Sequence, residues 1–282
     1  MIHWGTSGWQ YNDWKHGDQG NTFPFYPANF SKNLMFEFYS KYFSTVEINS
    51  TFYQMPTLRM TNAWAKKAPP NFIYTLKLHQ SLTHDEKLLM NAQNEKNLEI
   101  FLNNIRPLRE SGVLGPILIQ LPPSFKVAKH FSNLENFISL LPLSIRWSIE
   151  FRHLSWQENE GQPVRQLLEQ YNIAYCIVDE PLLKPHCWLT TDFSYIRWHG
   201  HAAGPWYDYN YSEEELKLWL PKLIQLQEEV DEIFAYFNNH PKGQALKSME
   251  ILRELLDEES KFKKENLPPK FKKKEKKLKD FF

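Results

Sequence analysis

The 282-residue chain predicts a single-domain TIM-type (β/α)8 barrel with long, aromatic-rich loops after its strands. Three observations carry that prediction. Eight short apolar runs are spaced along nearly the whole chain, and each closes in a polar or charged cluster. A buried strand that repeatedly gives way to ionisable groups at one end describes a barrel seen from its active-site mouth. Helical patterns fill the gaps, and alternation of strand and helix implies a parallel sheet covered by helices. Finally, polar residues recur with period two near the strand ends, as in Glu47/Asn49, Thr75/Lys77, Ser148/Glu150/Arg152 and Tyr195/Arg197/His199, so each set shares one face. An open doubly wound sheet is the competing arrangement. It is disfavoured because Gly5-Thr6-Ser7-Gly8-Trp9 is not the glycine-rich turn of a dinucleotide-binding half.

The strands are expected at residues 2–5, 45–49, 72–77, 116–120, 145–150, 173–179, 194–199 and 233–238. Ser31 is a plausible N-cap for a helix reaching Phe43, and Thr57, just after Pro56, opens a second that ends at Lys67. A long helix is expected from Asp85 to Arg106, stopped by Pro107, and another from Ser132 to Leu141, stopped by Pro142. Val164 to Tyr171 is short. Ser212 with Glu213, Glu214 and Glu215 forms the acidic first turn of a helix reaching about Val230, and a last helix covers residues 243–257. The first and seventh strand-to-helix loops are long and aromatic, so they are expected to fold over the mouth.

A single α/β barrel needs about 250 residues, which assigns residues 1–258 to the barrel and leaves a lysine-rich segment, 259–282. From Ser260 onward, ten lysines stand against Glu265, Glu275 and Asp280, while the whole chain has a formal net charge of zero. The body is therefore acidic. The basic end reads as a solvated, flexible tail, or alternatively as an electrostatic arm for RNA, DNA or another polyanion. Cys176 and Cys187 are the two cysteines, and they fit structural thiols in a reduced protein. No apolar stretch approaches the roughly 20 residues a bilayer span needs, and no charged-then-apolar leader precedes the first strand. A cytoplasmic protein is expected.

The strand-end charges are the candidate chemistry. Glu47, Glu150 and Asp179 are candidate acid/base groups, and Lys77, between Leu76 and Leu78, reads either as a Schiff-base lysine in a dry pocket or as an ion-paired one. Arg152 and Arg197 would hold an anion or stabilise developing negative charge. Asn49, Gln120, His153 and His199 complete the expected binding set, and Asn238-Asn239-His240 leads, through Lys242, into a final helix whose free N–H groups could cradle a phosphate. Trp9, Tyr53 and Trp156, with Trp14, Trp206 and Tyr207, offer stacking platforms for a planar ring. No cofactor is predicted. A divalent metal held by ligands from His153, His199, His201, His240, Glu47, Glu150 and Asp179 is the alternative, weakened by three neighbouring cations and by the absence of HExxH or paired CxxC motifs. The leading reading is an acid/base enzyme acting on a small polar or phosphorylated, sugar- or nucleotide-like ligand. Nucleic-acid binding or processing, and a metal-dependent hydrolase or isomerase, are the alternatives.

Several unusual motifs occur together and in order. They are Trp4-Gly5-Thr6-Ser7-Gly8-Trp9, Phe25-Tyr26-Pro27, Val46-Glu47-Ile48-Asn49-Ser50-Thr51-Phe52-Tyr53, Gln120-Leu121-Pro122-Pro123-Ser124-Phe125, Glu150-Phe151-Arg152-His153, Tyr195-Ile196-Arg197-Trp198-His199-Gly200 and Tyr236-Phe237-Asn238-Asn239-His240. This set resembles the YecE-like proteins, a family known as domain of unknown function 72. The resemblance covers about residues 1–255 and leaves out the lysine-rich end. It implies a TIM-type barrel and brings no agreed reaction or assigned catalytic residues.

Overall fold

Strands and helices follow one another as β1 (Ile2–Thr6), α1 (Lys32–Tyr39), β2 (Thr45–Ile48), α2 (Ser50–Tyr53), α3 (Leu58–Lys67), β3 (Ile73–Lys77), α4 (Ala92–Glu110), β4 (Leu114–Gln120), α5 (Val127–Ser139), β5 (Trp147–Glu150), α6 (Gln162–Gln170), β6 (Ala174–Asp179), β7 (Phe193–Trp198), α7 (Glu213–Lys217), α8 (Leu220–Glu229), β8 (Glu232–Phe237) and α9 (Gln244–Leu255). The computed structural model describes residues 1–17 and 20–258, so the lysine-rich segment 259–282 lies outside the described residues. Every strand pairing is parallel, in the order β1-β8-β7-β6-β5-β4-β3-β2, which makes a nearly closed (β/α)8 barrel. No helix among the described residues is long and apolar enough to cross a membrane.

One seam of the barrel is closed differently from the rest. β1 and β2 stand at opposite ends of the pairing order. Between them the Tyr39 hydroxyl accepts from the Thr6 amide at 3.0 Å and donates to the Thr45 carbonyl at 3.0 Å. A Cβ on Gly5 would stand 2.8 Å from that same carbonyl oxygen, so only glycine fits where the two strands converge. The core lies in two places. A small cluster including Leu118, Cys176, Val178, Tyr195, Phe234 and Tyr236 fills the lumen, and a larger one joins the outer strand faces to the helices.

Three helix expectations need correction. The residues after β3 form a π-helical turn at Ser81–Asp85, and α4 begins only at Ala92, where Asn91 accepts from the Asn94 amide at 2.9 Å. Lys87 and Leu88 have positive φ, which interrupts any helix between the two. Pro107 does not stop α4, because it and Leu108 are buried against the core and offset the missing N–H. The helix expected from Ser212 divides into α7 and α8 around Trp219, which is buried, with Pro221 in the first turn of the second piece. α5 also begins earlier than expected, at Val127. Between β6 and β7, residues 180–192 cross without a helix.

Candidate functional site

Strand alternation decides what faces the lumen. On β7, Tyr195 and Arg197 point inward and His199 follows them, while β2 contributes Glu47, β3 Lys77, β4 Gln120 and β5 Glu150. These side chains meet at the carboxyl ends of the strands, where barrel active sites are built. Arg197 is the hub. Its Nη2 lies 2.8 Å from Glu47 Oε1 and its Nη1 2.5 Å from Glu150 Oε2. Glu47 also accepts from Ser7 at 2.8 Å and from the Tyr195 hydroxyl at 2.7 Å. Glu150 accepts a second guanidinium bond, from Arg152 Nε at 2.5 Å.

This network fixes charge. Burial acts to raise Glu47, but Arg197, Tyr195 and Ser7 outweigh it and hold the carboxyl below its usual value. Burial likewise acts on Glu150, and Arg152, Arg197 and His199 drive it well below the carboxylate range. Arg197 is locked in its charged form, since Glu150 and Glu47 overcome its own burial. Burial and then Arg152 lower His199 to about 4, so its imidazole is neutral. Asn238 Nδ2 lies 3.0 Å from His199 Nδ1, and His199 Nε2 lies 3.1 Å from Arg152 Nη2 and 3.4 Å from both Arg197 Nη1 and Glu150 Oε1. Glu47, Glu150, Arg197 and His199 are thus held in single protonation states near neutrality.

Lys77 differs from the other cations. It is 8% exposed, and Nζ donates to Gln120 Oε1 at 2.5 Å and lies 3.8 Å from the centre of the Phe52 ring. Among the described residues, no carboxylate stands within ion-pair distance of it, so the ion-paired reading does not hold. Burial first, and then Arg197, lower it to about 7. Gln120 is itself held by a 3.1 Å bond from Nε2 to the Leu121 carbonyl. His84, on the π-helical turn, lies 3.5 Å from Gln120 and is lowered by burial, Lys77 and Arg152 to about 4.

The sixth strand corrects the expected carboxylate. Ala174, Cys176 and Val178 face the lumen, and Glu180 continues their alternation past the strand end. Asp179 lies on the opposite face. There it accepts from Trp219 Nε1 at 2.9 Å and pairs with His201 Nε2 at 2.5 Å, away from the arginine network. Glu180 is 3% exposed, neither carboxyl oxygen has a hydrogen-bond partner among the described residues, and Arg152 Nε is 3.8 Å away. Burial raises it to about 7 despite Arg152. The residue types alone point to Asp179. The small side chains at 174, 176 and 178 were the signal that could have found Glu180.

Several expected ligand contacts take other places. Trp156 is 1% exposed, stacks on Phe125 and Phe151, and donates Nε1 to the Phe125 carbonyl, so it is core rather than a platform. Trp14 is also fully buried and donates to the His240 carbonyl. Asn239 is buried and bonds the Tyr209 carbonyl and Ser248. His153 caps a short turn by accepting from Ser155. Tyr53 is exposed and packs edge-on against Phe52. His240 is sandwiched between Tyr11 and Tyr207, and burial lowers it. The expected phosphate cradle before α9 is already filled by acidic side chains. Asp13 accepts from the Lys242 amide at 2.7 Å, and Asp208 pairs with the Lys242 ammonium and Gln244. Trp9 and Asn49 line a cavity of about 220 Å³ with Ser7 and Tyr11, beside the mouth. Among the described residues, no three His, Cys, Asp or Glu side chains are grouped to hold one metal ion. His199 serves the arginine network and His201 serves Asp179.

Known proteins share this sequence and architecture. UPF0759 protein YunF of Bacillus subtilis (strain 168) is 26% identical over 278 residues, covering 91% of this chain and 95% of its own length. UPF0759 protein YecE of Escherichia coli (strain K12) is 24% identical over 211 residues, covering 67% of this chain and 74% of its own. The crystal structure of a DUF72 family protein from Thermotoga maritima MSB8 superposes with a TM-score of 0.75 at 32% identity, covering 92% of this chain and all of that one. The family match extends past the 1–255 span of the motif resemblance and takes in most of the lysine-rich segment. Over residues 3–275 the chain matches the family described as "Protein of unknown function DUF72", and it belongs to that family.

Proposed function

We propose that the barrel mouth is the active site of an enzyme that performs acid/base chemistry on a small, polar, phosphorylated ligand. One observation carries this reading: two buried ionisable groups, Lys77 and Glu180, are held near pH 7 beside fixed charges that cancel. Arg152 and Arg197 balance Glu47 and Glu150, so the mouth's net charge is set by the two titrating groups. A proton carrier works best when its pKa lies near the working pH. Buried groups shifted toward neutrality also concentrate in active sites. In this reading Glu47 and Glu150 position Arg197 and Arg152, and the proton is moved by Lys77 and Glu180. Arg152 meets the anion, because among the described residues its Nη1 has no hydrogen-bond partner.

An anion bound beside Lys77 and Glu180 favours their protonated forms. Binding at pH 7.5 therefore takes up protons. Titration calorimetry with inorganic phosphate and a panel of small sugar phosphates, repeated in buffers of different ionisation enthalpy, reads this directly. The expected result is binding with net proton uptake that falls in Lys77→Met and Glu180→Gln, and an affinity about tenfold or more weaker in Arg152→Met. No binding by the intact protein, or binding without proton exchange, overturns the reading.

A further inference from the structure

The chain distributes its buried counter-ions unequally. Arg197 receives two carboxylates, at 2.5 and 2.8 Å, whereas the equally internal Lys77 receives an amide oxygen and an aromatic ring. Both groups stand in the mouth with Arg152, and the positive charges of Arg197 and then Arg152 disfavour the ammonium form of Lys77. Among the described residues no carboxylate lies within ion-pair distance of Lys77, and Gln120, tethered through Leu121, fixes the direction of one N–H. The Phe52 ring keeps one side of the amine dry. A lysine desolvated in this way next to other cations is a nucleophile.

We propose that Lys77 forms an imine with the carbonyl group of a small aldehyde or ketone that also bears a phosphate. The proposal rests on the reading of the mouth as an anion site and adds the substrate's reacting group. The nitrogen lone pair forms the new C–N bond as the carbonyl π pair moves to oxygen. The nitrogen then loses one proton and the oxygen gains one, giving a carbinolamine. A proton, supplied by Glu180 or solvent, converts that hydroxyl to water, which leaves as the nitrogen lone pair forms the second C–N bond, giving a protonated imine; loss of its N–H proton would return the proton taken up. No oxidant or reductant enters. The charged groups facing Lys77 are Arg197 from β7, Glu150 and Arg152 at β5, and Glu47 from β2, with neutral His84 nearby. Burial and the two arginines keep a usable fraction of free amine at neutral pH, which rises as pH passes about 7.

Glycolaldehyde phosphate, which places an aldehyde and a phosphate on two carbons, is the probe. The full-length protein is incubated with one equivalent, reduced with cyanoborohydride and mapped by peptide mass spectrometry. The expected result is a stable adduct on Lys77 in excess of exposed lysines such as Lys41 and Lys129, with yield rising between pH 6 and 8. Inorganic phosphate is expected to suppress the adduct. Propionaldehyde, which lacks the anion, is expected to label Lys77 about tenfold less or weaker still. Lys77→Arg keeps a cation and removes the nucleophile, so the adduct at that position disappears. Phosphate binding with no Lys77 adduct in the intact protein overturns the imine and leaves the anion site standing. A Lys77 adduct that phosphate does not suppress overturns the anion requirement and, with it, the reading of the mouth as a phosphate site. Because the decisive arms use the unaltered protein, a poorly folding variant does not blunt them.

Discussion

Arg197 spans the barrel lumen to reach Glu47, Nη2 to Oε1 at 2.8 Å, while its other terminal nitrogen meets Glu150. Both carboxylates are fully buried; Arg197 is the cation on Glu47, while Glu150 also has Arg152 at 2.5 Å. Replacing Arg197 by Met strands the buried Glu47 charge and leaves Glu150 with Arg152 alone, and is expected to cost about 3–5 kcal/mol, read by urea denaturation at pH 7. Adding Glu47→Gln and Glu150→Gln to the Met variant should recover most of that loss. A loss under about 1 kcal/mol for the single variant contradicts the network's role.

Glu180 gives a pH signature of the opposite sign from an ordinary paired carboxylate. Its folded value is raised to about 7, so between about pH 4.3 and 7 the folded state binds the extra proton. Stability from this group is present below the unfolded value and is lost as pH rises through 7. Glu180→Gln should therefore be nearly neutral at pH 4 and stabilising at pH 8. The difference from the intact protein should grow by up to about 1.4 kcal/mol per pH unit in between. A variant equally stable relative to the parent at both pH values rules out the raised carboxyl.

His199 acts at the acid end. Its imidazole is held neutral, with a folded value lowered to about 4, whereas the unfolded chain protonates it below about 6.5. The unfolded state then binds more protons, and stability falls as pH drops from 6.5 toward 4. His199→Gln should flatten the acid limb of a melting-temperature profile in that window. An unchanged limb shows that another group controls it.

Tyr39 closes the β1–β2 seam with a single oxygen. Tyr39→Phe keeps the ring packing and leaves the Thr6 amide and the Thr45 carbonyl without that partner, an expected loss of about 1–3 kcal/mol. Hydrogen exchange at the Thr6 amide should accelerate by more than the global change in stability. Uniform acceleration at all amides means the hydroxyl serves the whole fold and not the seam.

The barrel was legible because apolar runs and period-two polar ends are imprinted by burial on both faces of parallel strands. That same alternation correctly places Glu47, Lys77, Glu150 and Arg197 together, since each sits in phase with inward neighbours. At β6 the candidate comes from the strand end and not from the alternation: Asp179 is the last strand residue, but Glu180 keeps the phase of Cys176 and Val178. Roles were less legible than positions. Whether a carboxylate carries protons or merely balances charge depends on partners from other strands, and no local pattern shows that Glu47 has three donors while Glu180, among the described residues, has none within hydrogen-bonding distance. The aromatics failed for a similar reason. Trp156 and Trp9 look alike in sequence, and only tertiary packing buries the first between Phe125 and Phe151. The start of α4 was missed because Lys87 and Leu88 adopt a left-handed backbone that their residue types do not announce.

The strand order also bears on how the molecule is made. β1 hydrogen-bonds in register only to β8, with Ile2 opposite Ile233 and Thr6 opposite Phe237. Trp14 joins the His240 carbonyl and Asp13 the Lys242 amide across similar spans. At ribosomal rates of about 5–20 residues per second, the N-terminal strand waits roughly 10–50 s for its partner to be synthesised. During that interval Trp4 lacks Trp198, and Trp14 in the following loop lacks the His240 carbonyl, the partners that later seal them. Nascent chains are therefore most exposed to chaperones and to mispairing at their beginning, and release of the last strand is the event that ends this vulnerability.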